Sequence, residues 1–234
     1  SLITTDSYTL TFPEPGIYEV QASGTFPRIY FNNSGDKDKI LTVEQWGDIA
    51  WTSMDRAFQG CSNLRVPATD APDLSGVTSI GRMFQEATSF NDPINHWDVS
   101  NVRVMDELFE DASNFNQPLN NWDTSSTTVT KWMFARSNFN QPLDQWDMSQ
   151  VELAWVMFRS SPFNQPINTW DVSNLRHAGR MFQDTPFNQP LDNWDTQSLQ
   201  FTQFMFADNE SFDQDLSTWD VSNVVRMDNM FNGT

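Results

Sequence analysis

Aromatic and apolar side chains recur along this chain at a fixed period. The dipeptide Trp-Asp occurs six times, beginning at residues 97, 122, 146, 170, 194 and 219, with steps of 25, 24, 24, 24 and 25 residues. A Phe stands seven residues before each of these Trp residues, and a Met-Phe or Leu-Phe pair begins eleven residues after it. Because one unit of this size cannot bury its own aromatic face, neighbouring units must stack. The period therefore predicts a repeat solenoid, and it lies in the range of about 20–29 residues that is typical of leucine-rich repeats.

Two spacings follow one another inside each unit. Trp97 and Val99 have the alternate spacing of a short strand with both side chains facing inward. The next apolar residues are spaced i, i+3, i+6 and i+7, at Val102, Met105, Leu108 and Phe109. That spacing is typical of one face of a short helix. The sequence thus predicts an α/β repeat solenoid of leucine-rich-repeat type, with a short strand and a short helix or 3-10 turn in each unit of 24–25 residues.

The ends of the chain differ from the regular units. Residues 1–48 do not fit the period, and alternating apolar residues at 8–12, 17–21 and 25–31 predict strands, so we expect a small β-rich N-terminal cap. Residues 49–234 form the predicted solenoid, with a degenerate first unit at 51–82 and regular units at 83–234. The repeat runs to the last residue without a visible cap, which leads us to expect that the sequence is part of a longer chain.

Polar residues also recur in register. An Asn or Asp follows the Phe of every unit, at Asn91, Asn116, Asn140, Asn164, Asn188 and Asp213. Stacked amides of this kind are expected to form hydrogen bonds from one unit to the next. The Asp of each Trp-Asp pair is expected to accept hydrogen bonds from the N–H groups of the following turn. A row of ligands is the alternative for the Asn residues, and a row of calcium sites is the alternative for the Asp residues.

Composition excludes several classes of function. The formal net charge of −18 argues against nucleic-acid binding, because phosphate contacts need Lys and Arg. The chain has one cysteine, Cys61, which rules out an internal disulfide and a cysteine-based metal site, and we expect it to be a small buried residue. No apolar run approaches the roughly 20 residues of a membrane-spanning helix, so direct membrane insertion is not expected.

Several segments of the chain resemble the BspA-like leucine-rich-repeat surface proteins of bacteria. These are the run Thr25-Phe-Pro-Arg-Ile-Tyr-Phe, the segment Gln45-Trp46-Gly47, the block Ala57-Phe58-Gln59-Gly60-Cys61-Ser62-Asn63-Leu64 and the repeated Phe-Asn-Gln-Pro-Leu-x-x-Trp-Asp. The resemblance covers nearly the whole chain. It implies a secreted or cell-surface bacterial protein that acts as an adhesin, binding a protein or glycan on another cell or matrix.

Positions that change from unit to unit are not needed for stacking, and they are therefore candidates for recognition. Seven, nine and ten residues after the Trp, large or charged side chains stand on neighbouring units. We predict that these form the partner-binding face: Trp132, Trp155, Phe201, Phe204, His177, Arg180 and Lys131. The alternative is additional packing inside the unit. The sequence favours a protein partner, and carbohydrate binding or a rigid spacer without any ligand remain open.

Catalysis is not expected. The only histidines, His96 and His177, occupy different positions of their units, and no nucleophile-base motif or glycine-rich phosphate loop is present. Carboxylate pairs are abundant, but catalysis needs a unique preorganised pocket rather than a regular groove. We therefore predict a binding protein that is not an enzyme and that has no cofactor and no metal.

Overall fold

The computed structural model describes residues 10–234, and in that range it contains almost no regular secondary structure. The one helix is the 3-10 helix Lys37–Lys39, and the only β-structure consists of isolated parallel bridges. The prediction of an α/β repeat solenoid with a strand and a helix in each unit was therefore wrong. The chain instead forms a stack of coils made of turns. We number the regular coils 1 to 6 by their Trp residues, Trp97, Trp122, Trp146, Trp170, Trp194 and Trp219.

The coils are joined by a ladder of backbone hydrogen bonds in the segment predicted to be helical. In coil 2, the N–H groups of Trp132, Phe134 and Arg136 donate to carbonyls of coil 3 at 2.8–2.9 Å. The intervening N–H groups instead close four-residue turns within their own coil, as that of Ala135 does with the Trp132 carbonyl. The bridges lie along one edge of this ladder, and they join Ser79, Val104, Val129, Leu153, His177, Phe201 and Arg226 in order.

Residues with positive φ explain why this segment is not a helix. Two positions of every coil, four residues apart, take left-handed backbone conformations, as at Trp132 (φ 59°) and Arg136 (φ 56°) in coil 2. A left-handed residue breaks the regular sequence of helical dihedral angles. The N–H groups of Trp132 and Arg136 therefore donate to the neighbouring coil and not along a helix axis. The side chains with helical spacing, from Val102 to Phe109, are nevertheless buried. The pattern thus predicted burial correctly and backbone conformation wrongly.

Stacked aromatic rings fill the interior. The rings of Phe109, Phe134 and Phe158 are fully buried, and successive centroids lie 5.6 Å apart. Trp122 stacks on Trp146 at 6.4 Å, and the indole N–H of Trp146 donates to the Leu119 carbonyl of the preceding coil at 2.9 Å. The Trp97–Val99 segment faces inward as expected but contains no bridge, so the predicted strand is absent there.

Side-chain ladders reinforce the backbone ladder. The Oδ1 atom of Asn140 accepts the backbone N–H of Asn164 at 3.0 Å and the side-chain amide of Gln165 at 3.0 Å. The same contact recurs from Asn91 to Asp213, which confirms the predicted Asn ladder. The predicted turn contacts of the Trp-Asp carboxylates also form. The hydroxyl and the backbone N–H of Ser100, for example, lower the pKa of Asp98.

The N-terminal region packs on the degenerate unit at 51–82 without forming a sheet. The segments 17–21 and 25–31 contain no strand in the described part of the chain, so the predicted β-rich cap was wrong there, and the strand predicted at 8–12 lies partly outside the described residues. Phe31 packs on Phe58, and its N–H donates to the Ala57 carbonyl at 3.1 Å. Cys61 is buried as expected, and burial raises the pKa of its thiol to about 12.

Replacement of Asn140 tests the Asn ladder. Asn140→Ala leaves the N–H of Asn164 without its acceptor and removes one of the two acceptors of the Gln165 amide, so we expect the free energy of unfolding to fall by about 1–3 kcal/mol. Equilibrium urea denaturation measures this change. Asn121→Ala, at an exposed side chain of the neighbouring coil 2, is the matched control and is expected to have little effect. Equal stability of the two variants would show that the ladder contributes nothing.

Substitutions at Ser160 test the left-handed backbone conformation assigned to two positions of every coil. The φ of Ser160 is 54°, a conformation that costs a residue with a Cβ roughly 1–2 kcal/mol. Ser160→Gly relieves that cost while adding freedom to the unfolded chain, so we expect a net gain of about 0.5 kcal/mol in the free energy of unfolding. Ser160→Val is expected to lower it by about 1 kcal/mol, because β-branched residues are least tolerant of positive φ. Denaturant unfolding of the three proteins should rank Gly above Ser above Val, and the reverse order would contradict the assigned backbone.

Candidate functional site

A row of aromatic rings crosses four successive coils at the surface. We call this row the aromatic strip, and it consists of Trp132, Trp155, His177 and Phe201. Trp132 meets Trp155 edge to face at 5.7 Å, the rings of Trp155 and His177 lie 5.5 Å apart, and His177 stacks on Phe201 at 4.9 Å. All four side chains are half-buried. Four of the seven predicted partner-binding residues therefore touch one another in series.

The other three predicted residues lie outside this series. Arg180 and Phe204 form a separate pair, with the guanidinium 4.1 Å above the ring, and Arg180 also donates to Gln183 Oε1 at 2.8 Å. Lys131 lies 3.6 Å from the carboxylate of Asp106. All three side chains are half-buried. Arg180 and Lys131 already contact neighbours in their own chain, which leaves the strip itself as the stronger candidate for recognition.

Two further residues border the strip. The Arg136 guanidinium lies 5.4 Å from the centre of the Trp132 ring, and Leu153 is 36% exposed. The repeat pattern did not identify Arg136 as a site residue, because Arg136 lies four residues beyond the last variable position of its unit. Leu153 stands at one of those positions, seven residues after its Trp, but an aliphatic residue there gave no signal. Its bridge to His177 places it directly beside the strip.

At coil 1 the same face carries ion pairs in place of aromatic rings. Arg82 binds Glu107 through two hydrogen bonds of 2.6 and 2.7 Å, and Arg136 binds Asp111 in the same bidentate way. Burial disfavours the charge of Glu107, but Arg82 outweighs that effect and lowers its pKa. Burial raises the pKa of Glu110. The charges here largely satisfy one another, so this region adds no free cation or anion beside the strip.

Three residues in or beside the strip carry a buried polar atom without a partner, as six residues elsewhere in the described chain also do. Trp155 Nε1, His177 Nδ1 and Gln203 Oε1 are buried and have no hydrogen-bond partner among the described residues. The interior indoles differ, because those of coils 2 to 6 each donate to a carbonyl of the preceding coil. A buried polar group left unpaired costs about 1–3 kcal/mol. Burial also lowers the pKa of His177, since the protonated ring would be poorly solvated there.

Nothing else in the described residues resembles a catalytic or metal centre. Two hollows of the surface are open, polar grooves, and one of them is lined by Arg176, Gln197, Ser198, Gln200 and Asn223. Residues 10–234 contain no group of three or more His, Cys, Asp or Glu side chains placed to hold a metal ion. Within the same range, no helix has the length and hydrophobicity needed to cross a membrane.

His177 gives a direct test of the strip's environment. We expect its imidazole to titrate below about pH 6.5, the value of an unperturbed histidine. Because folding lowers this pKa, the stability associated with the neutral ring is present above pH 6.5 and is lost as the pH falls through the lowered value. NMR titration of the ring protons in His96→Gln, which retains His177 as its single histidine, measures the midpoint. A midpoint at or above 6.5 would show that the ring is well solvated.

Comparison with known proteins gives one family. A family model described as "Mycoplasma protein of unknown function, DUF285" matches residues 52–162 and 138–234. No curated protein and no solved structure matches the chain. The resemblance to BspA-like leucine-rich-repeat surface proteins was therefore wrong as an assignment of family, and the location and adhesive role that it implied stay predictions. Because the two matches together span most of the chain, it belongs to the DUF285 family.

Proposed function

We propose that this chain is a binding module that holds a protein partner on the aromatic strip. The observation that carries the proposal is the unbroken contact from Trp132 through Trp155 and His177 to Phe201, on side chains that are half-buried and not enclosed. Aromatic rings that are fixed by their neighbours bind with little loss of conformational freedom. Trp is also among the residues that contribute most to interface energies.

The orientation of the rings favours protein over carbohydrate. A sugar stacks on an open aromatic face, but Arg136 lies over the ring of Trp132 and Arg180 lies over that of Phe204. Trp132 and Trp155 meet at 82°, so together they present a corner and not a flat platform. A corner of this shape, with Leu153 beside it, suits an apolar side chain of a protein partner.

The distribution of charge supports the same choice of face. Beyond residue 100, all seven Lys and Arg residues lie between the sixth and fourteenth residues after their Trp, which is the segment that contains the strip: Arg103, Lys131, Arg136, Arg159, Arg176, Arg180 and Arg226. The remaining side of these coils carries Asp98, Asp123 and their equivalents and no cation. A strongly acidic chain thus keeps its cations near its exposed rings.

A rigid spacer fits these observations less well. A spacer needs no exposed rings, and its variable positions would be packed inside the coil. Val156 meets that description, since it is fully buried, but Trp132 and Trp155 do not. Secretion or display on a bacterial surface agrees with a binding role and stays a prediction.

Panning the full chain against a displayed library of folded protein domains tests the proposal. We expect domains whose affinity falls by about 10-fold or more for Trp132→Ala and for Phe201→Ala, because each change removes a central ring. Asn121→Ala and Asn193→Ala are matched controls, since they lie in the same two coils at exposed positions outside the strip, and they should bind as the unchanged chain does. Thermal unfolding of every variant confirms that it is folded.

Two results would contradict a protein-binding strip. The first is domain binding that Trp132→Ala and Phe201→Ala leave unchanged. The second is binding to a glycan array with no domain recovered, which would favour the carbohydrate alternative.

A further inference from the structure

The unpaired polar atoms of the strip lie on three successive coils. Trp155 belongs to coil 3, His177 to coil 4 and Gln203 to coil 5. One supplies a donor, the indole N–H, and another supplies an acceptor, Gln203 Oε1. Native proteins pair nearly all of their buried polar groups, and the interior indoles of coils 2 to 6 follow that rule. Six other residues of the described chain also carry an unpaired buried polar atom: Trp46, Trp51, Arg56, Gln59, Thr130 and Arg159. The three atoms at the strip differ from these in lying on three successive coils beside one row of half-buried rings.

Gly179 lies between the donor and the acceptor. It takes in coil 4 the position that Trp155 takes in coil 3 and Gln203 takes in coil 5, nine residues after the Trp. Gly179 is buried. A Cβ added to it would lie 3.0 Å from the side-chain Cδ of Gln203 and 3.2 Å from the main-chain carbonyl oxygen of Gln203. The missing side chain lets the carboxamide of Gln203 fold onto the backbone of coil 4. Since Gln203 is only half-buried, rotation of its side chain uncovers Gly179.

We propose that Trp155 and Gln203 bind the main chain of the partner above Gly179. The carbonyl oxygen of one peptide group accepts the indole N–H of Trp155, and the N–H of the same group donates to Gln203 Oε1. The assignment rests on the proposed function of the strip and names what the strip recognises. Bridged backbone segments of neighbouring coils lie about 4.8 Å apart. Trp155 and Gln203 are two coils apart, so their backbones are separated by roughly 10 Å. A peptide group points its N–H and C=O in opposite directions, which suits a donor and an acceptor on opposite sides of a gap.

A peptide is favoured over the acetamido group of an N-acetylated sugar. Both groups carry an N–H and a C=O, but the sugar also needs an open ring face beside it. Arg136 and Arg180 cover the faces of Trp132 and Phe204, the rings on either side of this position. A peptide needs only space for its side chains, and those of Leu153 and Phe201 supply apolar contacts for them.

A phage-displayed library of random dodecapeptides, panned on the full chain, is the probe. We expect enriched peptides whose affinity falls by about 10-fold for Trp155→Phe, which keeps an aromatic ring and removes the N–H, and for Gln203→Met, which keeps the shape and removes the amide. Gln200→Met, a half-buried residue of the same coil, is the matched control and should not alter binding. Unchanged thermal unfolding shows that each variant is folded.

The outcomes separate this inference from the proposed function. Peptides that bind Trp155→Phe and Gln203→Met normally but lose binding to Trp132→Ala would overturn main-chain recognition and leave the strip as an apolar docking site. Binding of triacetylchitotriose in place of any peptide would overturn both. The inference would also be overturned if folded domains bind the strip but no peptide is enriched. That result would show that an accessible peptide group is not enough for binding to the strip.

Discussion

The structure depends on one interaction, the backbone hydrogen bonds that alternate N–H groups make from each coil to the next. Those bonds require left-handed residues at two positions in every coil, and the chain accepts them even at Val156, a β-branched residue with φ of 62°. Such a conformation persists only where the surroundings over-determine it. Here the surroundings are the ladder itself, the stacked Phe rings and the Asn ladder, which all repeat in the same register.

The ladder also decides which side chains are free to recognise a partner. Its bridged residues point their side chains to one surface, so Leu153, His177 and Phe201 necessarily stand side by side. The rings of the strip are therefore held by a rigid backbone although none of them is needed to hold it. A surface of this kind can change from coil to coil without loss of the fold, as it does from the ion pairs at coil 1 to the rings of coils 2 to 5.

The sequence predicted the stacking and burial well and the backbone poorly. The recurring Phe and Trp identified the period, the inward face and the Asn ladder, because side-chain chemistry repeats with every coil. The helix prediction failed because the spacing of Val102, Met105 and Leu108 also fits a run of turns, and no local signal distinguishes the two. Left-handed positions are usually occupied by Gly. Here they are occupied by Glu107, Trp132, Val156 and Arg180, and these residue types do not predict positive φ. The strip was recognisable from its variable positions, whereas the contribution of Arg136 depended on how the turn folds.

Scalar couplings across hydrogen bonds measure the central interaction most directly. In a deuterated, isotopically labelled sample, we expect couplings from the amide nitrogens of Trp132, Phe134 and Arg136 to the carbonyl carbons of Trp155, Met157 and Arg159 in the next coil. Couplings from the same nitrogens to carbonyls four residues earlier in their own coil would indicate a helix. That result would contradict the coil-to-coil ladder and the aromatic strip that rests on it.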